Sequence, residues 1–364
     1  MKQEIILQHD YQETFRTKKI AGLFDLSPEK KLQKIINVDL PIENKKWRIG
    51  LIIGSSGSGK TTIAKNLFPN EYKNQYNISW GDKSILEYFP ENLEINKIIN
   101  ILSHIGFSSP PAWLLSYHCL SSGQQFRVNV ARQLFNDNNL ILVDEFTSVV
   151  DRVVAKIGCA AISKYIKKTE KQFIGVSCHY DICDWIEPDW IFDVDKNEFN
   201  LVYLRRPKIE CAIYECSKNA KQQIWNIFKN HHYLSADLSK RAKVFYMLID
   251  NIFCGFTSYI TMPLNKNEVM FREYRTVILP DFQGVGLGNK LSEFLGEYIY
   301  NNFKKTLFST TSHPAMIFYR NKNKNWQMIS SPKIKKGHSM KCLRSCGSHN
   351  RLTASFKYIG GYIK

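Results

Sequence analysis

The stretch GLIIGSSGSGKTT, Gly50 to Thr62, constrains this chain more than any other. An apolar run ends at Ile53, a glycine-rich turn follows, and a helix-compatible run starts at Lys60. The spacing G-x-x-x-x-G-K-[ST] is complete from Gly54 to Thr61. The small residues Gly54, Ser55, Ser56, Gly57, Ser58 and Gly59 let backbone N–H groups approach phosphate oxygens. Lys60 is placed to neutralise β- and γ-phosphate charge, and Thr61 offers a hydroxyl to Mg²⁺. Thr62 continues a helix N-terminus whose dipole favours an anion. A strand, this loop and a helix in that order point to an α/β domain that binds ATP with Mg²⁺.

Downstream, NLILVDE ends an apolar strand in Asp144 and Glu145. A carboxylate at a strand end opposite such a loop can hold Mg²⁺, and its neighbour can polarise an attacking water. Asp144 is therefore the expected metal ligand with Thr61, and Glu145 the expected catalytic carboxylate.

Three further stretches follow in a fixed order. LSSGQQFRVNVARQL resembles the signature motif of the ATP-binding-cassette (ABC) ATPases, with Ser122 where that family has glycine. SVVDR resembles its D-loop, with Asp151 at the matching position, and His179 in GVSCHYD matches its switch histidine. The resemblance spans about residues 35–200. It implies a head-to-tail homodimer in which Ser121, Gly123 and Gln124 of one subunit complete the nucleotide site of the other. One departure stands out: no glutamine lies between Gln75 and Gln124, where the family has its Q-loop. That loop couples transporter ATPases to membrane domains, so its loss argues against a transport subunit.

The pattern changes after LRRPKIE at Leu204 to Glu210, which predicts domains at 1–204 and 205–364. The second half reads as mixed helix and strand. Its key stretch is LPDFQGVGLGNKL, Leu279 to Leu291, between a strand-like and a helix-like run. The pattern Q-x-x-G-x-G, with Gln283, Gly284, Gly286 and Gly288, resembles the pyrophosphate loop of the GNAT acyltransferases. That resemblance implies an α+β mixed-sheet domain using acetyl-CoA or a related acyl donor. SHPAMIFY resembles a second family element, with Ala315 and Tyr319 at matching positions and Ser312 in place of asparagine. It implies Tyr319 as the general acid that protonates the leaving thiolate, although a helix tyrosine suits core packing equally well. The strand before the loop offers Glu268 and Glu273 as a base, and alternation does not choose between them. His232 and Tyr233, side by side, suit acid–base work. That pair is similar to one in the Mom-like phage enzymes of DNA modification. His338, Cys342, Cys346 and His349 outline a zinc site, but C-x₃-C departs from the usual C-x₂-C spacing.

Composition narrows the partners. A chain of 364 residues, 44% apolar, accommodates two domains and no membrane-spanning run. Nine scattered cysteines and no signal-peptide pattern fit reduced thiols in a cytoplasmic protein. The net charge is +17, and Arg320 to Lys364 holds eleven Lys/Arg with no Asp or Glu. Trp326, Phe356, Tyr358 and Tyr362 are interleaved with those charges, which points to nucleic acid. The expectation is an ATPase coupled to acyl transfer onto nucleic acid, DNA first. The alternatives are a non-catalytic GNAT-fold module on a DNA-binding ATPase of genome defence or maintenance, and an RNA, protein or small-molecule N-acetyltransferase.

Overall fold

The structure is a computed structural model. It describes residues 1–8, 13–24, 33–43, 45–76, 79–135, 138–202, 209–232, 237–264, 268–334 and 352–360. It is mixed α/β and divides into two compact units. The first comprises Met1–Ser79, Arg132–Arg152 and Ser163–Pro207; the second comprises Trp80–Ala131, Val153–Ile162 and Lys208–Lys364. The C-terminal half thus carries with it two stretches from the N-terminal side of residue 204.

The first unit is built on a five-stranded sheet in the order Leu140–Val143, Gln172–Ser177, Ile49–Ile53, Trp190–Asp193, Glu198–Leu201. Its first four strands run parallel, and the last turns back antiparallel. The continuous apolar run before the phosphate loop has its cause here: all five residues of Ile49–Ile53 are buried in the sheet centre. Ile52 packs with Ile63 and Ala64 of the helix Lys60–Leu67, and with Leu142, Ile174, Val176 and Phe192. A separate antiparallel pair, Lys2–Gln8 with Gln33–Asp39, adds Ile5, Ile36 and Val38 to that core.

The second unit holds a seven-stranded sheet. Its order is Trp326–Ile334, Leu352–Tyr358, Leu307–Thr311, Val269–Ile278, Ile252–Pro263, Lys243–Ile249, Ala212–Glu215. Every neighbouring pair is antiparallel except Val269–Ile278 with Leu307–Thr311. That parallel pair is in register only at Phe271↔Leu307 and Arg272↔Phe308, so the two strands diverge toward their C-terminal ends. The helix Leu287–Phe303 covers one face through Leu287, Leu291, Leu295 and Ile299. Trp225 and Phe228 of the helix Lys221–Phe228 pack with Val244, Phe256 and Val277 in a separate cluster.

The basic C-terminal segment reads differently in three dimensions. Leu352–Tyr358 is flanked on both sides, by Leu307–Thr311 and Trp326–Ile334, rather than closing the sheet as an edge. Phe356, Tyr358 and Trp326 are 0%, 2% and 5% exposed. Phe356 and Tyr358 are core residues because an interior strand buries its alternate side chains, and Trp326 packs with them from the edge strand. The expectation that these three aromatics mark a nucleic-acid contact is corrected accordingly. Tyr362 and the four zinc candidates lie outside the described residues.

Packing around Gly50 is close enough to test. A methyl group there would lie 2.0 Å from Cζ2 of Trp190, a ring that also meets Trp47 edge-on at 5.4 Å. Gly50→Ala should lower stability by about 1–3 kcal/mol through overpacking. Gly22→Ala, in the helix Phe15–Leu23 with nothing within 4 Å, should instead add about 0.4–1 kcal/mol. Urea denaturation of the two variants beside the parent checks both signs.

Candidate functional site

The parallel strands of the first unit deliver the expected ATPase residues to one end of the sheet. The register pairs Ile53 with Ser177 and Val143 with Gly175, so the strand ends bearing the phosphate loop, Asp144 and His179 line up. Gly59 turns the chain into the helix Lys60–Leu67 at φ 108°, a conformation suited to glycine. Lys60 is buried, and its Nζ donates to the Ser55 carbonyl at 2.6 Å. The Thr61 hydroxyl donates to Asp144 Oδ2 at 2.9 Å. A hydroxyl and a carboxylate in contact are hard oxygen donors of the kind Mg²⁺ takes, so these residues fit that ion.

Glu145 follows on an exposed turn. Its φ is 52° and that of Thr147 is 69°, two left-handed non-glycine residues within three positions. Each costs on the order of 1 kcal/mol or more, and such strain gathers at functional turns. The turn is held by Phe146 N–H donating to the Val176 carbonyl, Glu145 N–H to Asp144 Oδ1, and Ser148 Oγ to Glu145 Oε2 at 2.7 Å. Asp151 is exposed beyond the turn, and His179 donates its backbone N–H to Ser177 Oγ at 3.2 Å.

Sequence reading missed Asp195. Its carboxylate accepts from the Ser55 backbone N–H at 2.6 Å, the Ser55 hydroxyl at 2.9 Å and Tyr180 at 3.0 Å. Those bonds hold it below the usual carboxylate range, the Ser55 amide most of all. The signal was present in FDVD, a second strand that runs into acids.

In the second unit the signature motif starts the helix Ser122–Leu134. Gln124 N–H donates to Ser121 Oγ, and Ser121 N–H to Gln124 Oε1 at 3.1 Å. This is a reciprocal capping box, which fixes the helix start at Ser122. One turn on, Arg127 is fully buried and donates to three carbonyls, those of Gly106, Pro280 and Asp281. Burial pulls its guanidinium down to about 10, with Asp281 opposing, so it remains charged at neutral pH.

Pro280 and Asp281 belong to the glycine loop. The loop ends at Gly286, φ 99°, which caps the helix Leu287–Phe303, with Gly288 in its first turn. Gln283 donates from Nε2 to the Ile278 carbonyl and accepts at Oε1 from Ser108 N–H at 2.7 Å. Gly284 faces Gly106 so closely that a methyl on Gly284 would lie 2.5 Å from Gly106 Cα.

Tyr319 meets a partner that no motif marked. Its hydroxyl donates to Glu293 Oε1 at 2.7 Å, and Asn323 Nδ2 donates to both at 2.7 and 2.8 Å. Burial and then Glu293 raise the phenol, so Tyr319 keeps its proton. Ala315 lies on the same helix, Pro314–Lys322. His232 sits elsewhere in the unit, with Nδ1 3.2 Å from Arg275 Nη1 and its ring against Trp225. Tyr233 lies outside the described residues.

Of the two base candidates, Glu268 is exposed and Glu273 is buried where the parallel strands diverge. Glu273 accepts from Thr276, Ser292 and Ser309 and pairs with Arg320 at 3.1 Å. Burial alone would raise its carboxyl, but Arg320 and the hydroxyls hold it below the ordinary 4.5. A carboxylate so stabilised is a poor base; it fills the wedge. Its folded value is depressed, so its contribution is present above 4.5 and lost as pH falls through the folded value. Glu273→Gln should cost about 3–5 kcal/mol at pH 7. The gap to the parent should narrow as the pH is lowered below 4.5, read by denaturant midpoints across that range.

No family model matches the chain. Among curated proteins, LagD, a lactococcin-G-processing and transport ATP-binding protein of Lactococcus lactis, is 28% identical over 198 residues. That match covers 43% of this chain and 28% of LagD. The zinc import ATP-binding protein ZnuC of Histophilus somni is 27% identical over 158 residues, 38% of this chain and 58% of ZnuC. The chain thus spans less than two thirds of the length of these relatives. Among solved structures, a dimeric bacterial ABC transporter cassette covers 44% of this chain and 87% of its own at 19% identity, TM-score 0.34. An IAA acetyltransferase from Bacillus cereus covers 41% and 99% at 13% identity, TM-score 0.30. The curated relatives support an ABC-type ATPase domain. Among the described residues no helix is long and apolar enough to cross a membrane.

Proposed function

We propose that this chain is an ATP-hydrolysing, homodimeric ABC-type ATPase whose cycle governs acyl transfer in a GNAT-like domain. The observation that carries the first part is the Thr61–Asp144 bond at the end of a parallel sheet, beside Lys60 and below Glu145. The loop amides and Lys60 would hold the phosphates. Thr61 and Asp144 would hold Mg²⁺, which neutralises charge on the transferring phosphoryl group. Glu145 would polarise the attacking water, with His179 at the neighbouring strand end and Asp151 beyond the turn. Ser121, Gly123 and Gln124 would meet the partner subunit's nucleotide.

The second part rests on the Tyr319–Glu293–Asn323 cluster at the helix that follows the glycine loop. In transfer, an acceptor nitrogen attacks the acyl carbonyl and the C–S bond breaks. Tyr319, held in place by Glu293, gives its proton to the departing thiolate sulfur, and the proton shed by the acceptor nitrogen passes to solvent, from which the tyrosinate is reprotonated. Acetyl-CoA or a related thioester is the donor, and the functional division falls at 1–204 and 205–364. The acceptor we favour is nucleic acid, DNA first, because ten Lys/Arg besides the buried, paired Arg320 fall in a C-terminal segment that holds no Asp or Glu. A specific observation favours a second reading, a non-catalytic GNAT-fold module on a nucleic-acid-binding ATPase. Gln283 and Gly284 are already packed against Ser108 and Gly106.

One experiment separates them. The protein is incubated with DNA or RNA, ATP and acetyl-CoA, and the digested nucleosides are weighed. The parent should yield an acylated base. Tyr319→Phe should cut transfer on the order of 10²-fold with ATP turnover intact. Lys60→Ala should cut ATP turnover on the order of 10²-fold or more, and transfer with it. Unmodified nucleosides together with ATP hydrolysis stimulated by DNA would favour the module.

A further inference from the structure

The N-terminal part of the glycine loop in the second unit is docked on the Gly106–Ser108 turn and on the helix that carries the signature motif. Four contacts make the dock. Arg127 holds the Pro280 and Asp281 carbonyls, Ser108 N–H holds the Gln283 side chain, Gly106 lies against Gly284, and Asp281 lies against Gly123. At the last of these, a methyl on Gly123 would sit 3.0 Å from Asp281 Oδ1. That carboxylate therefore rests on the first turn of the helix Ser122–Leu134. The positive end of a helix dipole attracts an anion there. A triphosphate engaging Ser121, Gly123 and Gln124 would bring its own negative charge to the same turn. Arg127, one turn on, directs its Nη groups at backbone carbonyls rather than at the Asp281 carboxylate.

We propose that Asp281 is an intramolecular anion that occupies the signature turn in place of the nucleotide's phosphate. Loop docking and nucleotide engagement exclude each other. ATP binding displaces Asp281, Pro280 and Gln283 follow, and the glycine loop is released from Gly106 and Ser108 to accept an acyl donor. By linkage, an acyl donor held in the released loop favours nucleotide engagement to the same degree. This rests on the reading of Ser121–Gln124 as nucleotide-facing, and it reconciles the docked loop with acyl transfer.

The test uses the full-length Glu145→Gln protein, in which bound ATP persists, alone and combined with Asp281→Asn or Asp281→Glu. Asp281 is half-buried, so neither change opens a core cavity. Calorimetry gives the Kd for ATP·Mg²⁺, and for acetyl-CoA with and without ATP. Asp281→Asn should bind ATP about fivefold or more tightly than the parent, while Asp281→Glu stays at the parent value. Acetyl-CoA should bind the Glu145→Gln protein about fivefold or more tightly with ATP present, and the Asp281→Asn protein equally with or without it. Parental ATP binding that Asp281→Asn leaves unchanged would overturn the proposal while the ATPase reading stands. Failure of the Glu145→Gln protein to bind ATP at all would overturn that reading and the proposal with it.

Discussion

The guanidinium of Arg127 is the contact on which the second unit turns. It is fully buried and charged, and it donates to carbonyls of Gly106, Pro280 and Asp281. The Nη groups are satisfied by these carbonyls while Nε is not, and removing the acceptors costs about 3–5 kcal/mol. Two segments far apart in sequence are therefore tied: the turn before Ser108 and the turn before Gln283. Both turns bring a left-handed glycine, Gly106 at φ 92° and Gly284 at φ 93°, and neither has room for a Cβ at the contact. The close approach and the hydrogen bonds specify each other.

The two sheets solve different problems with the same logic. In the first unit, parallel strands buried on both faces bring chemistry only to their ends, where Thr61, Asp144, Glu145 and His179 gather. In the second, one parallel pair diverges, and the wedge must be filled by something that satisfies its own polar groups. Glu273 and Arg320 fill it with Ser292 and Ser309, under the rings of Trp326 and Phe356. The basic segment thus spends one of its cations, Arg320, on the core.

How much of this was legible follows from where the determining contacts lie in sequence. The phosphate loop and the strand before Asp144–Glu145 are local patterns, and the strand Ile49–Ile53, the helix Lys60–Leu67 and the strand Leu140–Val143 follow the order they imply. The glycine loop was equally local in its turn and helix start. What it touches was not, because Arg127 in FRVNVARQL looks like any polar residue on a helix. Glu293 was hidden for the same reason: its partners Tyr319 and Asn323 lie on another element, 26 and 30 residues on. Alternation in TASFKYIG marked a strand but not its place in the sheet, and the interior position turned Phe356 and Tyr358 inward. Glu273 and Glu268 share a strand region, and only the splayed neighbour tells them apart.

The central claim is that nucleotide engagement at the signature turn and docking of the glycine loop exclude each other. Hydrogen exchange at residues 279–288 of the Glu145→Gln protein reads this directly, because docked amides exchange through local opening. With saturating ATP·Mg²⁺ these amides should exchange faster, while those of the strand Ile252–Pro263 stay unchanged. Equal or slower exchange across 279–288 with ATP bound would contradict the account.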